Sequence, residues 1–383
     1  MLFRSDMSKK LLGTEHPDTL KSMGNLACTY SCQGKLNEAK QLEVQVLDME
    51  KKLLGAKHPD TLISMANLAI TYARQGKWNK AEQLEFQVLD TRIKVLGAEH
   101  PDTLLSMANL ARTYANKGNL KETEQLEVQV LNMRKKLLGE EHPDTLKSMG
   151  NLACTYLSQG KWDKGEQLEL QVLGIRKKVL GAEHPDTLIS MANLSKTYAD
   201  KGKLREAEQL GVQVLDMRKK ILGAEHPDTL RSMGNLACRY FSQGRWNEAE
   251  QLGVQVLDMR KVVLGAEHPD TILSMGNLAC TYANQDRWNE AEQLGAQVLD
   301  MEKRLLGVKY PDTLRSMVNL ANTYSRQGKW NEAEQLEVQV LDIRKEVLGA
   351  EHPDTLRSMG NLACTYSSQG KWNEAEHLVV HLV

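Results

Sequence analysis

Histidine is the residue type with the greatest capacity for chemistry that recurs at a fixed spacing in this chain. The sequence His-Pro-Asp-Thr-Leu begins at His16 and returns every 42 residues, with the variants HPDTI at His268 and YPDTL at Tyr310. Neighbouring repeats should be separated by one helix-packing layer of about 10 Å, whereas zinc ligands lie at about 2 Å from the metal. Two such histidines therefore cannot share one zinc ion. We expect them to act in loops or at helix starts.

Cysteine also recurs at one repeat position. The nearest pair, Cys238 and Cys280, should exceed the roughly 7 Å Cα separation that a disulfide tolerates. We expect these thiols to be inert and half-buried, although Cys28 and Cys32, four residues apart on one helix, leave a redox or metal alternative open. The residues at the shared position are Cys28, Cys154, Cys238, Cys280 and Cys364.

Few other residues suggest catalysis. His377 and His381 form an H-x-x-x-H pattern, but two ligands without an acidic residue between them are a weak metal signature. The chain has no glycine-rich phosphate loop and no nucleophile elbow. We therefore predict that the protein is not an enzyme and has no cofactor, no catalytic residue and no metal site.

The charge balance argues against two classes of partner. The 383 residues include 49 Lys and Arg against 50 Asp and Glu, a net charge of -1, which provides no global field for nucleic acid or acidic lipid. No apolar run approaches the roughly 18 residues of a membrane-spanning helix, and the first ten residues lack the apolar core of a secretory signal. We predict a cytoplasmic protein with no nucleic-acid or membrane partner.

The repeat encodes two helices. In the first repeat, residues 18–33 place Leu20, Met23 and Tyr30 at helical spacing before Gly34 ends this helix A. Asn37 is the predicted N-cap of a second helix, helix B, and Gly55 fits a left-handed position at its end. The turn glycine recurs in other repeats, with Asp286 as the one exception.

Such a unit cannot bury its apolar stripe alone, so the repeats must stack into an all-α solenoid. We predict a single array over residues 1–383. It comprises a partial helix B at 5–12, repeats starting near 17, 59, 101, 143, 185, 227, 269, 311 and 353, and a truncated last repeat. The chain thus begins and ends inside a repeat, which favours a piece of a longer array or self-association through the uncapped ends.

Tryptophans that follow the turn glycine, such as Trp78, exchange with leucine and are predicted to lie in the core.

These residues carry a family resemblance. The pattern Asn25-Leu26-Ala27-x-x-Tyr30, followed by Gly34 and Ala39, resembles the tetratricopeptide repeat, and the 42-residue period with Leu-Gly-x-x-His-Pro-Asp resembles the kinesin light chain subfamily. Similar long repeats occur in nephrocystin-like proteins and in arrays attached to nucleotide-binding switch proteins. The resemblance implies a right-handed superhelix whose concave groove is lined by helix A.

An asparagine precedes the core leucine of every helix A. Asparagine is a mediocre helix former, so helix propensity does not account for this recurrence. Its amide can pair with both the N–H and the C=O of an extended peptide. Such a row of asparagines resembles the one that lines the tetratricopeptide groove of O-linked N-acetylglucosamine transferase. The alternative is that each amide bonds a neighbouring helix and fixes the stacking of the repeats. These ladder asparagines are Asn25, Asn67, Asn109, Asn151, Asn193, Asn235, Asn277, Asn319 and Asn361.

Basic residues on the same helices indicate the charge of a ligand. They share the predicted concave surface by helical spacing, and a positive groove favours an acidic peptide. The alternative is that these charges are solvated and balanced by glutamates. The predicted basic site residues are Arg74, Arg112, Lys147, Lys196, Arg231, Arg315 and Arg357.

The sequence as a whole thus predicts a non-catalytic scaffold that binds an extended, acidic protein segment in its groove. Two alternatives remain. One is a sensor or oligomerisation array of a larger nucleotide-binding switch protein, and the other is a cargo adaptor like kinesin light chain, which would add a heptad region not found in this chain.

Overall fold

The computed structural model describes residues 11–380, except the side chains of Cys32, Val379 and Val380. Eighteen α-helices and no strand are present in this range, which confirms the predicted all-α repeat architecture. Leu11 and Leu12 are helical, whereas the rest of the partial helix predicted at 5–12 lies outside the described residues. The helices are α1 Pro17–Cys32, α2 Leu36–Leu53, α3 Pro59–Arg74, α4 Trp78–Leu96, α5 Pro101–Lys117, α6 Leu120–Leu138, α7 Pro143–Ser158, α8 Trp162–Leu180, α9 Pro185–Asp200, α10 Leu204–Leu222, α11 Pro227–Ser242, α12 Trp246–Val263, α13 Pro269–Asn284, α14 Trp288–Leu305, α15 Pro311–Arg326, α16 Trp330–Leu348, α17 Pro353–Ser368 and α18 Trp372–Val380.

The chain divides into two compact units. The first ends at Ala182 and contains α1–α8, and the second begins at Glu183 and contains α9–α18. Odd-numbered helices are the A helices and even-numbered helices are the B helices, and each A helix begins at the proline of the repeated motif. The same helix pair thus builds both units. That all repeats form one array remains a prediction.

The repeated histidine caps helix A. His16 Nδ1 accepts a hydrogen bond from the backbone N–H of Asp18 at 3.2 Å, and Pro17 occupies the first helical position, where no N–H is needed. Equivalent bonds start the A helices of the other repeats that carry histidine, for example at His226. These histidines therefore lie at helix starts, as predicted.

The turn between helices A and B differs in one respect from the prediction. The Lys35 N–H bonds the Tyr30 carbonyl at 2.9 Å around Gly34, which has a φ of 77°, so the chain re-enters a helix directly at Leu36. Asn37 is therefore inside the helix and is not its N-cap. Asp286 takes the same left-handed backbone, with a φ of 60°.

The core clusters between repeats join three helices. In the first unit, Leu47 of α2 packs with Leu62, Met65 and Leu68 of α3 and with Val88 of α4. An equivalent cluster recurs in the second unit around Met233. Because every B helix contributes to the core of the next repeat, a two-helix unit is completed by its neighbour.

Polar bonds reinforce these interfaces. The buried guanidinium of Arg92 on α4 donates from Nη1 to the Asp102 carbonyl at 3.0 Å and to Ser106 Oγ at 2.8 Å, both on α5. The same bonds recur from Arg218 and Arg260 in the second unit. These arginines of helix B thus connect one repeat to the first turns of helix A in the next repeat.

Candidate functional site: the face of the A helices

The ladder asparagines lie on one side of the A helices. All nine are exposed or half-buried, whereas the leucine that follows each of them is buried. In the second unit, Asn277 Nδ2 donates to Cys238 Sγ at 3.4 Å and Asn319 Nδ2 approaches Cys280 Sγ at 3.8 Å. Ladder asparagines of one A helix therefore lie beside the cysteines of the preceding A helix. We call the surface formed by these asparagines and cysteines the ladder face.

Thiol is a weak hydrogen-bond acceptor, so these contacts leave much of the amide capacity unused. The amides contact a neighbouring helix, as the stacking interpretation expects, and they are accessible to a ligand, as the peptide-binding interpretation expects. Asn109 accepts a long hydrogen bond of 3.4 Å from Arg112 Nη2 on its own helix. The peptide-binding role of the ladder remains a prediction.

Three of the basic site residues are paired on their own helix. Arg231 Nη2 lies 2.6 Å from Asp228 Oδ1, and equivalent pairs at 2.8 Å and 3.1 Å join Arg315 to Asp312 and Arg357 to Asp354. The balancing acid is thus the aspartate of the repeated motif and not a glutamate across the groove. All three guanidinium groups remain more than half exposed, and exposed pairs contribute only ~0–1 kcal/mol.

The other basic site residues are also exposed. Arg74 Nη1 donates to the Ser31 carbonyl at 3.1 Å and to its Oγ at 3.0 Å, which ties α3 to the end of α1. Arg112, Lys147 and Lys196 are exposed on α5, α7 and α9. The structure therefore places all seven residues at solvent, with Arg74 bridging two A helices.

Two cavities open on the ladder face of the second unit. The first, of about 520 Å³, is bordered by Gly295 and Val298 of α14 and by Asn319, Thr323 and Arg326 of α15. We call it the Gly295 cavity.

The second cavity, of about 470 Å³, is bordered by Gly253 of α12 and by Asn277, Thr281 and Asn284 of α13. We call it the Gly253 cavity. Cys280 borders both.

Two cysteines of the ladder face, Cys238 and Cys280, have environments that oppose activation. Burial around the sulfur raises the pKa of Cys238 and Cys280, although nearby arginines oppose that effect. A raised pKa lowers the thiolate fraction, which fits the predicted inert role. Of the five cysteines at the shared position, only Cys280 is half-buried, and the other four are exposed. The expectation of half-buried thiols is therefore wrong for those four.

The tryptophans are less buried than predicted. Trp162 and Trp246 are 38% and 39% exposed and Trp372 is 67% exposed, while Trp78, Trp288 and Trp330 are half-buried. The indole is the first residue of helix B, so it covers the turn and does not enter the core. The core prediction for these residues is wrong.

The described residues carry no metal-binding cluster and no membrane-spanning helix. Residues 11–380 contain no group of three or more histidine, cysteine or acidic side chains arranged to hold a metal ion. His377 is exposed on α18, and its predicted partner His381 lies outside the described residues, as does the Cys32 side chain. Among the described helices, none combines the length and apolarity needed to cross a lipid bilayer.

Comparison with known proteins defines the family. Six consecutive segments match the tetratricopeptide repeat: residues 19–60, 61–102, 103–144, 145–186, 187–228 and 229–270. A second tetratricopeptide repeat profile matches residues 281–346 and 312–380. The chain belongs to the tetratricopeptide repeat family. Comparison with functionally curated proteins gives no significant match.

Solved structures place the chain near kinesin light chain-like repeats. A crystal structure from Podosopora anserina, described as a kinesin light chain with nearly identical TPR-like repeats, is 36% identical, with a TM-score of 0.50 over 54% of this chain and 97% of that chain. The apo quorum sensor NprR from B. thuringiensis has a TM-score of 0.60 at 16% identity, over 92% of this chain and 97% of that chain.

A more distant structure shares the fold. The signal-transduction ATPase of the STAND class with a tetratricopeptide repeat sensor, from Pyrococcus horikoshii, has a TM-score of 0.57 at 15% identity. The match covers 89% of this chain and 52% of that chain. At such low identity, the likeness to this ATPase and to NprR shows a common fold only.

The sequence interpretation missed the two cavities. Their signal is a change of residue type at one helix B position, which is Glu43, Glu85, Glu127, Glu169 and Glu337 in five repeats but Gly211, Gly253 and Gly295 in three. Periodicity alone did not identify this position as functional, because the partner of the glutamate lies 28 residues away, in the next repeat.

Proposed function

We propose that this protein is a non-catalytic interaction scaffold that binds an extended, acidic segment of another protein along the ladder face, in the cytoplasm. The observation that carries the proposal is the accessibility of all nine ladder asparagines. An accessible carboxamide can donate to a ligand carbonyl and accept from a ligand N–H, whatever the ligand sequence. Membership of the tetratricopeptide repeat family supports a role in protein interactions.

The preference for an acidic ligand follows from the exposed cations. The pairs Arg231–Asp228, Arg315–Asp312 and Arg357–Asp354 lie within one helix and are open to water. Such pairs are weak, so a ligand carboxylate that meets the guanidinium bidentately can compete for it. Lys147 and Lys196 add exposed positive charge on the A helices.

Selection from a random peptide display library at low and high salt tests the acidic preference. We expect the purified chain to enrich acidic peptides at low salt and to lose them at high salt, because screening weakens exposed charge pairs. Enrichment of uncharged peptides at both salt concentrations would contradict the acidic preference. If no peptide is enriched and light scattering shows oligomers, the alternative of an assembly array would replace the scaffold.

Substitution of two ladder asparagines separates binding from stacking. Asn193→Ala and Asn235→Ala remove exposed amides of the second unit, and each should weaken a selected peptide about two- to tenfold, the usual value of one hydrogen bond. The melting temperature should stay unchanged. Gln213→Ala, which removes an exposed amide from helix B, is the matched control and should bind like the wild type. A lower melting temperature with unchanged affinity would assign the ladder to repeat stacking.

A further inference from the structure

One interface of the first unit contains a buried carboxylate. Glu43 of α2 is 5% exposed, and its Oε1 accepts a hydrogen bond of 3.0 Å from Thr71 Oγ1 on α3. Arg74, one helical turn after Thr71, adds a positive charge that favours the ionised carboxyl. Glu43, Thr71 and Arg74 therefore form an internal carboxylate site between two repeats.

The same site recurs six repeats later without its carboxylate. Thr323 and Arg326 of α15 occupy the positions of Thr71 and Arg74, but Gly295 of α14 occupies that of Glu43. All three residues border the Gly295 cavity of about 520 Å³. The threonine hydroxyl donates instead to the backbone carbonyl of Asn319 at 3.0 Å.

Arg326 is available to a ligand. Arg74 donates to the hydroxyl and carbonyl of Ser31, whereas Ala283, which replaces Ser31 in this repeat, has no hydroxyl and borders the cavity. The Arg326 side chain is exposed, and it makes no hydrogen bond or ion pair with any described residue. The cavity, which Asp286 also borders without pairing with Arg326, thus has a hydroxyl donor and a guanidinium without an ion pair at its edge. Together these two groups are complementary to a carboxylate.

We propose that the Gly295 cavity binds the carboxylate of a glutamate or aspartate side chain from the partner segment, which takes the place that Glu43 fills in the first unit. The ligand carboxylate accepts from the Thr323 hydroxyl and pairs with Arg326. The ladder asparagine Asn319 borders the same cavity and can hold the ligand backbone beside it. This site rests on the proposed function, because it requires an acidic protein segment along the ladder face.

The two other glycine repeats differ and serve as internal comparisons. The Gly253 cavity retains Thr281, but Asn284 stands in the position of Arg326. The two arginines that border this cavity are already engaged, Arg231 by Asp228 and Arg260 by the Asp270 carbonyl and Ser274. At Gly211 the space is taken by Arg239, whose guanidinium would clash with an added Cβ. Of these three repeats, only the one with Gly295 combines open space and a threonine hydroxyl with an arginine at the position of Arg74.

The test returns the glutamate to the full-length chain. Gly295→Glu should fold, because a Cβ at this position lies 3.4 Å from Leu320 Cδ1, an ordinary contact, and five repeats carry glutamate there. The probe is a fluorescein-labelled hexaglutamate, with hexaglutamine as the uncharged comparison. We expect the wild type to prefer hexaglutamate and Gly295→Glu to weaken it at least about tenfold, the size of a charge-assisted bond.

Two further variants sharpen the result. Arg326→Gln should weaken hexaglutamate to a similar extent, while Gly253→Glu, which fills the cavity that lacks an arginine at the position of Arg326, should weaken it less than Gly295→Glu does. Melting temperatures identify any variant that fails to fold. If hexaglutamate binds the wild type but Gly295→Glu and Arg326→Gln bind it equally well, the carboxylate site is wrong and the acidic scaffold stands. If the wild type does not prefer hexaglutamate, the site is wrong. The scaffold itself fails only if the display library also yields nothing.

Discussion

Glu43 illustrates the cost of burying a carboxylate at a repeat interface. Burial raises the pKa of Glu43, and the Thr71 hydrogen bond and the Arg74 charge oppose this only in part. The Glu43 Oε2 atom is buried and has no hydrogen-bond partner among the described residues. Glu85 and Glu337 also have raised pKa values caused by burial. The closed interface around Glu43 therefore disfavours the ionised carboxyl relative to the same group in water, whereas the Gly295 cavity is open on the ladder face.

The pH dependence of Glu43→Gln tests this account. A carboxyl whose folded pKa is raised contributes most stability below its unfolded pKa and loses that contribution as the pH rises through the folded value. Glutamine imitates the protonated form and can still accept from Thr71. The variant should be more stable than the wild type at pH 7, and this advantage should vanish near pH 4. Chemical denaturation at both pH values measures the difference. An advantage that persists unchanged at pH 4 would contradict the pKa direction.

The ladder asparagines were predictable from the sequence, because a residue that recurs without a propensity reason indicates a side-chain role. Their accessible position on one face of the A helices followed from helical spacing. The cavities were not predictable in the same way. Gly253 and Gly295 can be recognised as cavity-forming residues only when Glu43 is known to bond Thr71 of the next repeat. That hydrogen bond depends on how two helices pack.

The starts of the A helices were predictable from the sequence, whereas the starts of the B helices were not. The proline of the repeated motif gave the start of every A helix. The start of helix B was misassigned to Asn37, because asparagine is a common N-cap, whereas the turn glycine already directs the backbone into the helix at Leu36. Asn37 instead accepts a hydrogen bond of 3.2 Å from Gln75 of the next repeat. Long-range packing thus uses a residue that local rules assign to capping.

The cap of α15 offers a test of the histidine motif. Tyr310 replaces histidine there and makes no capping hydrogen bond in the part of the chain that the structure describes. Tyr310→His should restore an acceptor for the Asp312 N–H and stabilise the helix by about 1 kcal/mol, a typical N-cap contribution. His226→Ala, which removes an existing cap, is the matched comparison and should destabilise by a similar amount. Thermal unfolding of both variants measures the effect, and equal midpoints in all three proteins would show that the histidine has no capping role.

Charge pairs between consecutive repeats form a seam within each unit. In most repeats the turn cation pairs with a glutamate in helix B of the repeat before it, at a separation of 37 residues; the third repeat has Asn119 at the turn, and Glu82 pairs with Lys117. Examples are Lys161 with Glu124 at 2.7 Å and Arg287 with Glu250 at 2.6 Å. The Arg287 guanidinium also stacks on Tyr282, 4.2 Å from the ring centroid. In a repeat protein such nearest-neighbour terms add along the chain.

The seam is interrupted between the first two repeats, where Lys40 occupies the position held by Glu124 and Glu250 in later repeats. Lys77, the turn cation facing it, bonds Gln75 instead, at 2.9 Å. Lys40→Glu should complete the seam and raise the melting temperature slightly, since exposed ion pairs contribute ~0–1 kcal/mol. The gain should shrink at high salt, where exposed charges are screened.

Lys40→Gln is the control for Lys40→Glu, because it removes the like charge without supplying a carboxylate. The difference between the two variants at low salt therefore measures the new pair with Lys77. Because interfaces that share no residue should contribute independently, the same gain should appear when Lys40→Glu is combined with Glu250→Gln, which weakens a seam pair in the other unit. If Lys40→Glu and Lys40→Gln have equal midpoints at low salt, the seam fixes geometry without stabilising the fold. Non-additive midpoints in the double variant would instead show that the two interfaces do not unfold as independent terms.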